Sequence, residues 1–288
     1  MKYIYHLLLF LLIGGLVSAC EPSAKAVEKK QGPVYYQDKV IVLMYHHIDP
    51  NESGITISPE RFKSHLDALQ QKGYNVISIE QYQQFLKTRA AIPPNAVVLT
   101  FDDGYESFYT HAFPELKKRS LPATNFIVVK STDVVNPNIL PHLSWDQMRE
   151  MKKHGISFYN HTYDQHRVGQ TSKTGEKNPL LANPLFLPGE NRPESAGEYR
   201  ARIKEDLSLA EKRLEEELGE QPKFLAFPYG AYNDQVIEVG KELGIELFFT
   251  IEEGINDRNQ TLIYRLNAGR ADLSANDLIA KIETYRTK

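Results

Sequence analysis

The sequence predicts an α/β fold in which parallel strands close into a barrel with helices packed outside. Short apolar runs alternate with amphipathic helical stretches along most of the chain, the pattern of a parallel sheet with crossover helices. Seven or so such units favour closure over an open sheet. The chain has 288 residues, 41% of them hydrophobic, which suffices for one large barrel core. In such barrels the chemistry sits at the C-terminal ends of the strands.

Val40–Ile48 is a continuous apolar run that reads as a buried strand ending in His46 and His47. Pro59–Gly73 has Phe62, Leu66 and Leu69 at helical spacing, with Ser58 as N-cap and Gly73 as stop. Asn75–Ile79 is a short strand and Ile79–Leu86 begins a helix. Val97–Gly104 is a strand that runs into Asp102, Asp103 and a glycine, and a helix follows near Ser107–Arg119. Ala123–Val129 is a strand. Leu143–His154 is a helix capped by Ser144, with Trp145, a packing residue, on its apolar side. Ser157–Thr162 is a strand ending in His161. Glu198–Leu218 is a long amphipathic helix, and Phe224–Gly230 a strand ending in Pro-Tyr-Gly. Asp234–Leu243 is helical, Glu246–Ile251 and Leu262–Leu266 are strands, and Ala275–Thr287 is the last helix. The segment 168–197 breaks the pattern. It is rich in Asn, Pro, Gly, Ser and Lys and reads as a structureless insertion, either a functional loop beside the site or a solvated excursion.

The first nineteen residues read as a targeting segment, with Lys2 as n-region, an apolar run from Leu8 to Val17, then Ser18 and Ala19. A retained anchor is the alternative. Cys20 is the only cysteine, so no internal disulfide is available. Its setting, Leu-Val-Ser-Ala-Cys, resembles a bacterial lipobox. That resemblance implies export, with lipidated Cys20 anchoring the mature chain on the outer face of a membrane. Residues 20–37 read as a flexible tether and 38–288 as the folded domain. A formal net charge of −3 gives no sign of a nucleic-acid partner.

Two adjacent carboxylates at a strand end need partners if buried, and a divalent metal is one that could hold both. The alternative is a simple Asp-Gly turn. His161 and His166 lie five residues apart, which on a helix separates them by about 140° and on a strand puts them on opposite faces. They converge only if the chain turns after His161. Two imidazoles and one carboxylate leave coordination open for water or substrate, a catalytic arrangement. Asp103 is the natural third ligand. Asp102 then stands beside the site as a base, because a metal acidifies its water and a neighbouring carboxylate can take the proton.

Thr100-Phe-Asp-Asp-Gly104, His161-Thr-Tyr-Asp-Gln-His166 and Phe227-Pro-Tyr-Gly230, supported by Leu43-Met-Tyr-His-His-Ile48 and Leu143-Ser-Trp-Asp-Gln-Met148, resemble the polysaccharide deacetylase family, family 4 of the carbohydrate esterases. The resemblance covers roughly Val40 to Leu278. It implies a distorted, TIM-barrel-like (β/α)7 barrel and a metal-dependent hydrolase that removes acetyl groups from N-acetylated glycans. It implies Asp103, His161 and His166 as ligands of a divalent metal such as zinc, cobalt or nickel, and Asp102 as general base. Tyr229 would donate its backbone N–H to the oxyanion, and Pro228 and Tyr229 would line the substrate site. Three departures stand out. One extra residue separates the histidines, Ala226 stands where an arginine is usual, and no histidine follows His166 to act as the usual acid. The first two, with the Met-Tyr-His-His strand, resemble the branch acting on poly-β-1,6-N-acetylglucosamine; peptidoglycan and chitin-like chains are the alternative substrates, and an inactive glycan-binding barrel the alternative class. His46 is then either the acid that protonates the leaving amine or a residue that orients Asp102 or the substrate. Arg265 or Arg270 would supply the charge missing at Ala226.

Overall fold

The computed structural model describes residues 33–286. The targeting segment, Cys20 and most of the tether lie outside the described residues. The strands that matter are β1 (Val40–Tyr45), β2 (Ala96–Phe101), β3 (Ala123–Ile127), β4 (Ile156–Asn160), β5 (Lys223–Ala226), β6 (Ile245–Phe249) and β7, which pairs in two pieces, Leu262–Ile263 and Leu266–Asn267. They run parallel, each beside its predecessor in the chain. The lower piece of β7 pairs with β6 and the upper piece with β1. One strand thus joins both ends of the sheet, with Tyr264 and Arg265 at the crossover, and the result is a distorted (β/α)7 barrel.

Period-two alternation sorts the side chains. Val40 and Val42, Ala96 and Val98, Phe126, Tyr159, Phe224, Ala226, Phe249 and Ile263 pack together inside the barrel. Ile41, Leu43, Tyr45, Val97, Leu99 and Phe101 face outward. They meet Phe62, Leu66 and Leu69 of α1 (Pro59–Gln71), Leu116 of α3 (Phe113–Arg119), Met148 and Met151 of α4 (Trp145–Lys152) and Leu278 and Ile282 of α7 (Ala275–Glu283), with α2 (Ile79–Thr88) covering the barrel's lower end. On the other flank Leu225 and Phe248 pack on Ile203 and Leu207 of α5 (Ala196–Leu218) and Val236 and Val239 of α6 (Asp234–Glu242). Each fully buried side chain of this size is worth about 1.5–3 kcal/mol. Ser58, Ser144 and Ser195 accept the first-turn N–H bonds that start α1, α4 and α5.

Two boundaries differ from the sequence reading. The tether does not extend to residue 37. Tyr36 is in the core, and its hydroxyl donates to the Ala96 carbonyl at 2.9 Å, while Asn95 accepts the Tyr35 and Tyr36 N–H groups. A short polar stretch hides such a contact, because two tyrosines carry no period. The 168–197 insertion is not structureless. It holds two small antiparallel ladders, Val168–Gln170 with Lys177–Pro179 and Phe186–Leu187 with Arg192–Pro193. Strands of two or three residues leave no readable alternation. Trp145 packs as expected, its indole N–H on Asp133 at 2.9 Å and Arg213 over its ring.

Candidate active site

The inward parity of β1, β2 and β4 continues one step past each strand, and that step carries His46, Asp102 and His161. The Asp102 N–H donates to the Tyr45 carbonyl at 3.0 Å, so the carboxylate hangs over the barrel mouth beside His46. The chain then turns sharply. Asp103 and Gly104 both take left-handed backbone conformations, φ +75° and +77°. A Cβ at Gly104 would lie 3.0 Å from the Ile127 side chain, so both the backbone angle and the space favour glycine there. This turn sends the two adjacent carboxylates to different partners.

Asp102 is 3% exposed and receives both terminal nitrogens of Arg265, at 2.7 and 2.8 Å. Arg265 is fully buried at the β7 crossover and also donates to the Thr250 carbonyl at 2.8 Å. Burial pushes the Asp102 carboxyl up, but Arg265, His161 and His46 outweigh it and hold it below its ordinary value. Arg265 thus supplies positive charge beside Asp102. Arg270 does not; it pairs with Asp272 at the rim.

Asp103 points the other way. Its Oδ1 lies 3.4 Å from His161 Nε2 and 3.1 Å from His166 Nε2. His161 Nδ1 sits 2.8 Å from the Ala226 carbonyl, which can only accept, so Nδ1 carries the proton and the Nε2 lone pair faces Asp103. Burial raises the Asp103 carboxyl, yet the two imidazoles leave it well below the usual range. One carboxylate oxygen and two imidazole nitrogens lie within 4.8 Å of one another, and Asp103 Oδ1 is buried without a hydrogen bond among the described residues. An orphaned buried carboxylate oxygen facing two imidazole nitrogens is what a bound cation would satisfy, and the donor set suits a divalent transition metal.

His46 Nε2 lies 3.9 Å from Asp102, too long for a hydrogen bond. Burial lowers its pKa more than Asp102 and Asp103 raise it, so the ring is neutral at neutral pH. His47 turns away, against Thr56 and the Tyr105 ring. Tyr229 is left-handed at φ +58° and half exposed; its ring packs on His166 with centroids 4.5 Å apart. Gly230 follows because a Cβ there would lie 2.3 Å from Ile251. Pro228 is buried in the turn that presents Tyr229, and its neighbours Phe227, Tyr229 and Gly230 line the cavity. A cavity of about 480 Å³ opens over His46, Asp102, Asp103, His161 and His166, walled by Tyr229, Ile251 and Glu253. A second hollow of about 420 Å³ continues past Asp103 and His166 toward Tyr105, Leu140 and His142.

The site leans on a buried carboxyl that the sequence did not flag. Asn160 donates to Glu211 of α5 at 2.8 Å, and Glu211 is 7% exposed. Burial, opposed by Asn160 and Lys223 and aided by Glu215, raises Glu211 from 4.5 to about 7. Between those values the unfolded chain gives up its proton while the folded one keeps it, so stability falls as pH rises and levels off above about 7. Glu211→Gln is expected to remove that slope and to be more stable than wild type at pH 8 by on the order of 3 kcal/mol. Urea unfolding of both proteins at pH 4.5 and 8 checks this; equal pH slopes would contradict it.

The mouth of the barrel thus joins a carboxylate–histidine cluster to an arginine-held carboxylate. The chain belongs to the polysaccharide deacetylase family: the family model of that description matches residues 89–248. It is 26% identical over 277 residues to the poly-beta-1,6-N-acetyl-D-glucosamine N-deacetylase of Escherichia coli strain K12, covering 90% of this chain but only 41% of that protein. The Staphylococcus epidermidis enzyme of the same name is 26% identical over 262 residues, 85% of this chain and 84% of that one. Among solved structures, a de-N-acetylase from Aggregatibacter actinomycetemcomitans superposes with a TM-score of 0.78 at 28% identity, covering 85% of this chain and all of that one.

Proposed function

We propose that the protein is a metal-dependent hydrolase that removes N-acetyl groups from an N-acetylglucosamine-containing surface polysaccharide, with poly-β-1,6-N-acetylglucosamine as the substrate. The observation that carries this reading is the division of labour between Asp102, held by Arg265, and Asp103, facing two imidazoles. A divalent cation at Asp103, His161 and His166, zinc with cobalt or nickel as substitutes, would supply a positive charge that polarises a carbonyl and acidifies water. Ionised Asp102 accepts the proton of the attacking water as the C–O bond forms. The Tyr229 backbone N–H is assigned to the developing oxyanion. The C–N bond then breaks, giving acetate and a free amine that must gain a proton. His46 is assigned that delivery. The proton count closes, because Asp102 takes one proton from water and the amine gains one. The cavity over the site and the hollow that continues from it past Asp103 and His166 suit a polymer longer than one sugar unit.

The relatives' names support the choice of polymer. Cys20 and the apolar run before it support export and a lipid anchor on the outer face of a bacterial membrane, a reading that fails if Cys20→Ala fractionates with membranes as wild type does. The decisive experiment is acetate release from poly-β-1,6-N-acetylglucosamine, chitin oligomers and peptidoglycan, with and without chelator. The expected result is chelator-sensitive release, fastest on the β-1,6 polymer. Release that survives metal stripping overturns the metal reading; faster release from another polymer overturns the substrate.

A further inference from the structure

We infer that Asp206, on α5, is a positioning residue for the metal ligands: it is the template for the segment that separates His161 from His166. The inference rests on the proposal that these histidines and Asp103 hold a divalent cation. The segment Thr162–Gln165 has an unusual property. All four of its backbone N–H groups are taken by side-chain oxygens. Thr162 N–H donates to Asn160 Oδ1 at 2.6 Å, and Gln165 N–H to Thr162 Oγ1 at 3.1 Å. The two between them both go to Asp206, Tyr163 N–H to Oδ1 at 2.9 Å and Asp164 N–H to Oδ2 at 2.7 Å. The Gln165 side chain adds a third donor to Oδ2 at 3.3 Å, and Arg202, one turn back on α5, holds the other end of that amide at 2.6 Å.

A segment with no backbone partners for its N–H groups has no conformation of its own to fall back on. Here it is also strained. Thr162 is a β-branched residue at φ +74°, which persists only when its surroundings impose it. The carbonyls of Thr162 and Tyr163 accept from Val129 and Lys130 at 3.1 Å, so the segment is gripped from both sides. Asp206 is 7% exposed and, among the described residues, its three donors are all neutral amides of this segment. A buried carboxylate without a cationic partner is costly for folding alone. Its placement is explained by what it orders. Five residues from one histidine to the other do not bring two imidazoles to one oxygen on any regular element, and Asp206 fixes the irregular path that does.

The test is titration of the metal-free full chain with Co²⁺ alone, read by calorimetry and by the cobalt absorption spectrum. Asp206→Asn keeps the shape but can accept at only one atom. It is expected to raise the Co²⁺ dissociation constant about 10–100-fold, the scale for residues that orient ligands, and to alter the spectrum. Asp206→Ala should do so at least as strongly. Leu207→Ala, buried on the same helix, is expected to lower Tm and leave the constant and spectrum as in wild type. Asp206 variants with wild-type constant and spectrum, or affected no more than Leu207→Ala, would overturn the inference while leaving the metal site standing. Failure of the wild-type chain itself to bind Co²⁺ would remove the metal site, and the inference with it.

Discussion

Asp102→Asn is expected to lower kcat about 10²–10⁴-fold, the scale for losing a general base, with metal content unchanged. The substitution is nearly isosteric, yet it will not be silent in stability. Arg265 is fully buried and Asp102 is its carboxylate partner, so the variant strands a charge in the barrel. Breaking a buried pair from one side costs about 3–5 kcal/mol, and the lower end applies because an amide oxygen still accepts one hydrogen bond. Adding Arg265→Met should restore part of that stability by removing the stranded charge, and should restore no activity. Turnover, urea unfolding and metal analysis on the single and double variants separate the two effects. If Asp102→Asn loses metal as badly as Asp103→Asn, the two carboxylates are not divided into base and ligand.

The largest effect on the cation is expected from His161→Ala with His166→Ala. With only one carboxylate oxygen left from the cluster, the chain should purify without stoichiometric metal and release no acetate above background. Metal occupancy equal to wild type in this double variant would place the cation elsewhere. Acid should weaken binding in the wild type too. Burial lowers the His166 pKa, but Asp103 more than offsets this and holds the ring above its ordinary value, so protons compete with a cation for it from a higher pH than they would at a free imidazole.

Much of this was legible because parity is a property of sequence. Once Val40 and Val42 are assigned to the inside, His46 is inside and His47 is not. The same count places Asp102 from Val98 and His161 from Tyr159. The motif residues also announce themselves by chemistry, since adjacent acids at a strand end demand partners. What could not be read is what depends on distant pairing. Arg265 meets Asp102 across 163 residues, through a strand whose halves belong to different neighbours, and no local pattern marks it above Arg270. Asp206 and Glu211 lie in an amphipathic helix where a carboxylate ordinarily marks the solvent face. Their burial follows from what α5 packs against, Asn160 at the end of β4 and the segment between the two histidines.

The two-piece β7 makes closure of the barrel and formation of the Asp102–Arg265 pair one event. The residue at its crossover is the one that holds Asp102, and it arrives last but one element in the chain. A chain lacking that strand has the histidines, both aspartates and most of the core, but not the guanidinium that holds both oxygens of Asp102. Contacts of such long sequence separation form slowly. The Asp102–Arg265 pair would therefore form with the closing of the barrel rather than ahead of it.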